Sequence, residues 1–517
     1  MESVSLVKAP PRAALLVGAL AGLTGALVMT LLLLILRDQF GLPTPSEMVG
    51  DRLTAFISIK QFFALLDQFG GYSGLKQAGG GGVIAGQLVV GLLTGVAYAA
   101  YACRHRHAWP MAIVAVGALW LLSIVLLWPN LGTNFRGLPP GSARLATQAG
   151  LLVCYAAYGL VLSGAFAFAH AASSAVADPG VSRGRRGLLL GGAGVVLAVL
   201  TGSLVRQLFE RATFTYDGTE YRGDDLEPIT PNDRFYTVTK NIVDPLPSPE
   251  VWRLEIGGLV DRPRAYRFDE IAALPSTTQE TTLMCISNYV GGGLMSNASW
   301  QGLPLRELLA AAGPRSTANQ VIFYGADGYT VSYPLEVAMR ATTFLAYAMN
   351  GSPLPPHHGF PARILTPGLF GLNSPKWVTR VELDDQHVKG FYELQGWGPN
   401  FVVPNRSTFF AGAFQTPFVP SASIPVRGNA FAGNRGVAGV DVSQDGGQTW
   451  QAAHIDYPGT ELTWAFWTFD WQPSSPGDYT LVARTTDRQG GMQTSDYRDT
   501  QPEGATGFPS LRVRVTA

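Results

Sequence analysis

The chain has 517 residues with 37 basic and 37 acidic side chains, and is 47% hydrophobic but only 14% charged. That length exceeds one ordinary domain, and zero net charge without a basic stripe argues against a nucleic-acid partner. Apolar residues concentrate before residue 206, whereas the remainder is rich in Trp, Tyr, Gly and Pro, so a membrane region (1–206) precedes a globular one.

Five stretches, Ala13–Leu36, Val83–Cys103, Pro110–Trp128, Gln148–His170 and Gly187–Val205, approach the roughly 20 apolar residues that cross a hydrocarbon core. Their abundant Gly and Ala suit close helix packing in lipid. Between the first two, Ser46–Phe69 sets Val49, Leu53, Phe56, Ile57, Phe63 and Leu66 against Asp51, Arg52, Lys60 and Asp67. This pattern predicts one amphipathic interfacial helix. Lys8 and Arg12, Arg104 and Arg106, and Arg183, Arg185 and Arg186 all fall on one side of a five-span topology. The positive-inside rule makes that side cytoplasmic and everything after residue 206 extracytoplasmic. Arg37, Arg136 and Arg144 lie in the outer loops and dilute the bias. Ser182–Leu189, with Arg185-Arg186 before a span, resembles a twin-arginine export signal and equally reads as a plain topology anchor. His105, His107 and His170 fall at predicted cytoplasmic ends, which suits interfacial residues better than a haem pair.

Residues 207–227 read as a tether. Beyond it, Val251–Ile256, Thr281–Cys285, Val321–Tyr324, Thr330–Tyr333, Ala362–Thr366 and Trp377–Leu383 read as strands. Arg267–Leu274 and Leu303–Ala312 read as helices, the second stopped by Gly313-Pro314. The mix lacks regular βαβ alternation, which predicts α+β. From about Phe410 the helix signals vanish. Val437–Ser443, a Gln444–Gly447 turn, Thr463–Trp471 and Asp478–Asp487 predict a β-sandwich with no chemistry of its own.

Cys285 is the only cysteine beyond residue 154, so the globular part holds no intramolecular disulfide. It sits where a strand gives way to the loop Ser287, Asn288, Gly291, Gly292 and Gly293. The thiol is either a buried packing group, a reactive thiol or a metal ligand. Lys240, Asn241, Asp327, His357, His358, Arg363, Ser374 and Lys376 surround it in sequence. Such a set suits an anionic cofactor held through phosphate, with sulfur on a metal. Zinc is disfavoured by the spacing, and a Cys–His hydrolase lacks an orienting partner for His358.

Longer runs carry more. LMCISN around Cys285, SWQGLPLRELL, LAYAMNGSPLP and HHGFPARILTPGLFGLNSPKWVTRVEL make residues 228–405 resemble the molybdopterin-binding domain of the sulfite oxidase family. VDVSQDGGQTW and PGDYTLVARTTDRQGGMQT make residues 410–517 resemble that family's Ig-like dimerisation domain. The resemblance implies a mononuclear molybdenum on one pyranopterin, with Cys285 as its protein ligand. It places the pterin and phosphate among Lys240, Asn241, Asp327, His358, Arg363, Ser374 and Lys376. Two departures stand out. Lys240-Asn241-Ile242 replaces the family's Arg-Asn-His, and ungapped counting from Lys376 puts Trp397 where the family has a metal-side tyrosine. Lysine does not reproduce arginine's bidentate grip on an anion. The expectation is therefore a multi-pass, exported molybdenum oxidoreductase transferring an oxygen atom, with Cys285, Lys240 and Trp397 at the reacting centre. Its substrate is expected to be a small sulfoxide or similar oxide, with sulfite or another small sulfur compound as the alternative. Electrons pass to or from a separate partner or quinone, and the chain is expected as a possible homodimer. The competing class is a catalytically idle, membrane-tethered interaction protein.

Overall fold

The computed structural model describes residues 12–54, 56–70, 72–105, 108–174, 196–197, 199–208, 210, 227–410 and 423–516. The Ser182–Leu189 motif, His107, the start of the fifth expected span and almost all of the tether lie outside the described residues. The chain divides into two compact units, residues 1–54, 65–214 and 241–244, and residues 55–64, 215–240 and 245–517.

In the first unit four described helices are long and apolar enough to cross a membrane, where the sequence suggests five spans. They are α1 (Arg12–Phe40), α4 (Tyr72–Ala102), α5 (Trp109–Leu126) and α6 (Pro140–Ser174). Glycines let α1 and α4 approach backbone to backbone. A Cβ at Gly22 would stand 2.2 Å from the Gly91 carbonyl oxygen, and one at Gly95 2.1 Å from that of Gly18. This is the small-xxx-small logic of helix association in lipid. Outward side chains such as Leu16, Val89, Val114, Val125 and Leu160 are more than half exposed, as lipid-facing residues are.

The single amphipathic helix expected over Ser46–Phe69 is two helices, α2 (Pro45–Thr54) and α3 (Ile59–Gln68). Each begins with a reciprocal capping box, which satisfies the free N–H groups of a first turn. The Thr44 N–H donates to Glu47 and the Glu47 N–H to the Thr44 hydroxyl; Ser58 and Gln61 repeat the arrangement. The arginines expected in outer loops, Arg37, Arg136 and Arg144, are engaged in structure. Arg37 is buried, pairs with Glu47 at 2.8 Å and lies over the Phe135 ring; Arg136 donates to the Asp38 carbonyl, and Arg144 lies over Trp128. His105 stacks on Tyr101 at 4.1 Å, a packing contact within its own segment.

The second unit holds four sheets. The first runs β2-β1-β10-β5-β6: β2 (Arg264–Arg267), β1 (Arg253–Gly258), β10 (Val378–Asp384), β5 (Gln320–Gly325) and β6 (Thr330–Pro334), with β1 parallel to β10. The helix Leu305–Ala312 covers it with Leu305, Leu308, Leu309 and Ala312, and ends at Gly313 with φ +72°. The second sheet runs β3 (Thr277–Met284), β4 (Met295–Pro304), β7 (Phe344–Met349) and β8 (Ser352–Pro353), with β9 (Arg363–Leu365) also paired to β7. Phe235, Leu283, Trp300, Phe344 and Leu365 form its core.

Beyond these, β11 (Arg406–Phe409), β12 (Ile424–Phe431), β16 (Ala465–Trp471) and β15 (His454–Tyr457) form one antiparallel sheet. β14 (Gln451–Ala452), β13 (Val437–Ser443), β17 (Gly477–Asp487) and β18 (Ser510–Val515) form another. The two share one apolar core including Val426, Val440, Trp467 and Leu481. This sandwich grips the strand that leads to Cys285. The Thr282 N–H donates to the Leu462 carbonyl, and the Trp464 N–H to the Thr282 hydroxyl, both at 3.0 Å.

Candidate active site

β3 ends at Met284, and the chain turns sharply at Cys285. The Cys285 N–H donates to the Leu294 carbonyl and the Asn288 N–H to the Cys285 carbonyl, while the Asn288 side chain accepts from the Leu294 N–H. The loop is thus closed by its own backbone. The Cys285 sulfur lies 3.1 Å from the Ser287 hydroxyl, and the side chain packs on the core that holds Phe235, Leu283 and Trp300. Burial pushes the thiol pKa up, and the Ser287 contact works against it.

Arg406 holds the same loop from the sandwich. Its guanidinium donates to the carbonyls of Asn288 and Ala505, each at 3.3 Å, and to that of Tyr289. The sandwich, read from sequence as chemically silent, therefore positions the Cys285 loop. Arg406→Leu strands three carbonyls and is expected to cost about 3 kcal/mol. A lower thermal midpoint with faster hydrogen exchange over 286–294 would check this; unchanged exchange there would count against it.

The basic residues meet on the other side. Asp327, in the turn between β5 and β6, accepts from the Tyr329 N–H at 3.0 Å. A Cβ on neighbouring Gly325 would lie 2.6 Å from the Asp327 carboxylate and 3.0 Å from the Lys376 carbonyl, so glycine is required where the two chains touch. Arg363 is buried and donates to the carbonyls of His358 (3.0 Å) and Ser374 (3.1 Å), with Trp300 beneath it. Lys376 donates to the carbonyls of His357 and Val238. Trp377 follows it at φ +52°, in the left-handed region that side chains rarely adopt. Asp327, His358, Arg363, Ser374 and Lys376 therefore form one cluster, and the Lys376–Val238 bond ties it to a residue that packs on the same core as Cys285.

Lys240 and Trp397 fare differently. The Lys240 ammonium lies 5.1 Å from the Phe391 ring, and Phe391 packs on Tyr329 at 6.0 Å. The Tyr329 hydroxyl donates to the Leu372 carbonyl. Burial raises its pKa well above normal, and the charges of Asp327, Cys285 and Glu393 add to that rise. Trp397 is buried in the core that holds Met284 and Ile286, the chain neighbours of Cys285. The Cys285 side chain packs in a separate core. Asn241 falls in the first unit, where its side chain donates to Asp244 and its carbonyl accepts from Lys76.

Sequence reasoning passed over Tyr329, Tyr236, Gly371 and Asn373. The last two lie inside PGLFGLNSPK, next to Ser374 and Lys376. A Cβ at Gly371 would meet the Tyr236 hydroxyl at 2.6 Å and the Met284 carbonyl at 3.3 Å. The turn thus abuts the residue before Cys285. Around it, Arg363 Nε and both polar atoms of the Asn373 side chain are buried without a partner. Buried polar groups are nearly always paired, so this donor set suits a polar, anionic ligand.

His358 donates Nε2 to the Asn232 carbonyl at 2.9 Å. Burial, helped by nearby His357, Lys376 and Arg363, pulls its pKa down to about 3. The unfolded chain then binds the extra proton first, so stability is present above pH 6.5 and is lost as pH falls toward 3. The expected slope for the cofactor-free protein is about 1.4 kcal/mol per pH unit. His358→Gln keeps the donor to Asn232 and should flatten this arm in urea titrations at pH 4 to 6; an unchanged slope would assign acid lability to other groups.

Residues 241–392 match the family model described as the oxidoreductase molybdopterin binding domain, and residues 415–499 the Mo-co oxidoreductase dimerisation domain. The chain is 30% identical over 332 residues to the mitochondrial sulfite oxidase of Rattus norvegicus, covering 55% of this chain and 59% of the relative. It therefore spans little more than half the length of that relative. It is 34% identical over 146 residues to the uncharacterized oxidoreductase YuiH of Bacillus subtilis, covering 28% of this chain and 72% of YuiH. Among solved structures, the sulfane dehydrogenase SoxCD of Paracoccus pantotrophus superposes with TM-score 0.51 at 25% identity, over 56% of this chain and 82% of that one.

Proposed function

We propose that this chain, which belongs to the sulfite oxidase family of molybdopterin-dependent oxidoreductases, is a membrane-anchored, exported enzyme that transfers an oxygen atom to or from a small substrate. The observation that carries the reading is the Cys285 thiol on a braced loop, with the turn that bears Asn373 against the preceding Met284 carbonyl and with polar atoms of Arg363 and Asn373 buried and unpartnered. Cys285 would supply the protein's sulfur to the metal. Arg363, Lys376 and His358 would hold the phosphate and pterin, with Asp327 and Ser374 fixing the adjoining turns and Asn241 added on family resemblance. The cofactor, when bound, supplies the two-electron, oxygen-transferring chemistry, and the protein supplies orientation and charge. Lys240, stacked over Phe391, would supply positive charge to the substrate side.

Reduction of a sulfoxide or similar oxide is the preferred direction, because Lys240 stands where the family places an arginine for an anionic substrate. Oxidation of sulfite or another small sulfur compound is the second reading, favoured by the positive charge that Lys240 retains. Four apolar helices suit an anchor, the Ig-like reading of the sandwich suits a homodimer, and a separate redox partner or quinone would exchange electrons. The test is molybdenum and pterin analysis of the full chain purified from a cofactor-competent host, followed by turnover with sulfite and with sulfoxides. Protein without molybdenum would sink the assignment, and efficient sulfite turnover would reverse the preferred direction.

A further inference from the structure

We propose that Asn373 is a further ligand-binding group of this site, its carboxamide pairing through Nδ2–H and Oδ1 with an amide-like edge of the pterin. The proposal rests on the cofactor reading above. Asn373 has no exposed surface, and neither its nitrogen nor its oxygen has a partner. Its backbone is fixed: its N–H donates to the Phe370 carbonyl and its carbonyl accepts from the Thr366 hydroxyl. A buried amide left this way costs stability that no internal contact returns, so a ligand is the natural partner.

Its neighbours place Asn373 on this site. Two residues before it, Gly371 abuts the Met284 carbonyl, next to the thiol. One residue after it, the Ser374 carbonyl receives Arg363. Chemistry then selects the part of the ligand: of the pyranopterin's groups, the dithiolene and phosphate only accept, whereas the pyrimidinone ring presents a donor beside an acceptor. A carboxamide has the same pair in reverse, as in amide recognition of a base edge.

The test uses the full chain in detergent, made in hosts with and without molybdopterin synthesis. Asn373→Leu keeps the side-chain size and removes both unpaired atoms. Pterin per polypeptide, read by fluorescence after release and oxidation, is expected to fall about tenfold after gel filtration, the equivalent of two lost hydrogen bonds. The cofactor-free variant is expected to melt no lower than cofactor-free wild type. Asn429 on β12 also has both side-chain polar atoms buried and unpaired, so Asn429→Leu is the control and should keep wild-type pterin. Equal pterin retention by Asn373→Leu overturns the proposal. So does an equal fall of both midpoints, which would make Asn373 structural, or an equal pterin loss in Asn429→Leu. Absence of pterin from wild type would instead remove the cofactor reading itself, and the proposal with it.

Discussion

Exchanging Cys285 for serine is expected to lower turnover by at least about a thousandfold, or about 4 kcal/mol of transition-state stabilisation, while leaving the fold in place. The fold should survive because the loop is closed by backbone bonds from Cys285 to Leu294 and Asn288, and from outside by Arg406. None of these uses the sulfur, which lies against the Ser287 hydroxyl. Replacing sulfur by oxygen at a half-buried position should shift the thermal midpoint by no more than about 1 kcal/mol. Serine is a poor substitute for a thiolate on a soft metal, because its hydroxyl holds its proton at neutral pH. Pterin retention should stay within about twofold of wild type if Arg363, Lys376 and His358 carry most of the grip, whereas the electronic spectrum in the sulfur-to-metal charge-transfer region should be lost. Turnover within tenfold of wild type would return Cys285 to the role of a packing thiol.

How far the sequence carried this reading depended on which faces were buried. Val437–Ser443 was legible to the residue because its strand alternates. The helix expected over Leu303–Ala312 was legible from its apolar spacing and its Gly313 stop, but it begins at Leu305, because Leu303 and Pro304 end β4. β4 and β7 were not legible, because both are buried on nearly all sides: β4 is rich in small and polar residues and β7 is apolar throughout, so neither shows a period of two. The break at Ser58 was hidden because a Ser-x-x-Gln capping box inside an amphipathic pattern changes no hydrophobic spacing. For the candidate site, charge and motif single out Cys285, Arg363 and Lys376. Asn373 was hidden because its significance lies in what fails to touch it. Trp397 was placed by counting along the chain from Lys376. Between them the chain runs through β10 and the helical turn Phe391–Leu394, so chain distance says little about position. The sandwich was judged inert because its own residues carry no chemistry; its contribution is a hydrogen-bonding grip on Thr282 and the Cys285 loop.

Arg363 is the second residue whose loss should be decisive, and its effect should depend on the cofactor. In the described structure its guanidinium is buried, bonded to two carbonyls and an indole face, and forms none of the described ion pairs. Burial without a counter-charge draws its pKa down to about 10. The folded chain therefore releases this proton more readily than the unfolded one, so the burden is present at neutral pH and lifts only as pH rises through about 10 to 12.5. At neutral pH it amounts to about 3 kcal/mol. Arg363→Gln removes that burden and weakens two charge-assisted bonds to carbonyls, worth about 1.5 kcal/mol each. These terms nearly cancel, so the cofactor-free variant should melt close to cofactor-free wild type. With an anionic ligand in place the balance changes. The cation then has its counter-charge, and breaking such a buried pair costs about 3–5 kcal/mol. Cofactor affinity should fall at least about a hundredfold, read as pterin and molybdenum lost during gel filtration. A variant that keeps its pterin, or that destabilises both forms equally, would show that Arg363 braces the turn between His358 and Ser374 and binds nothing.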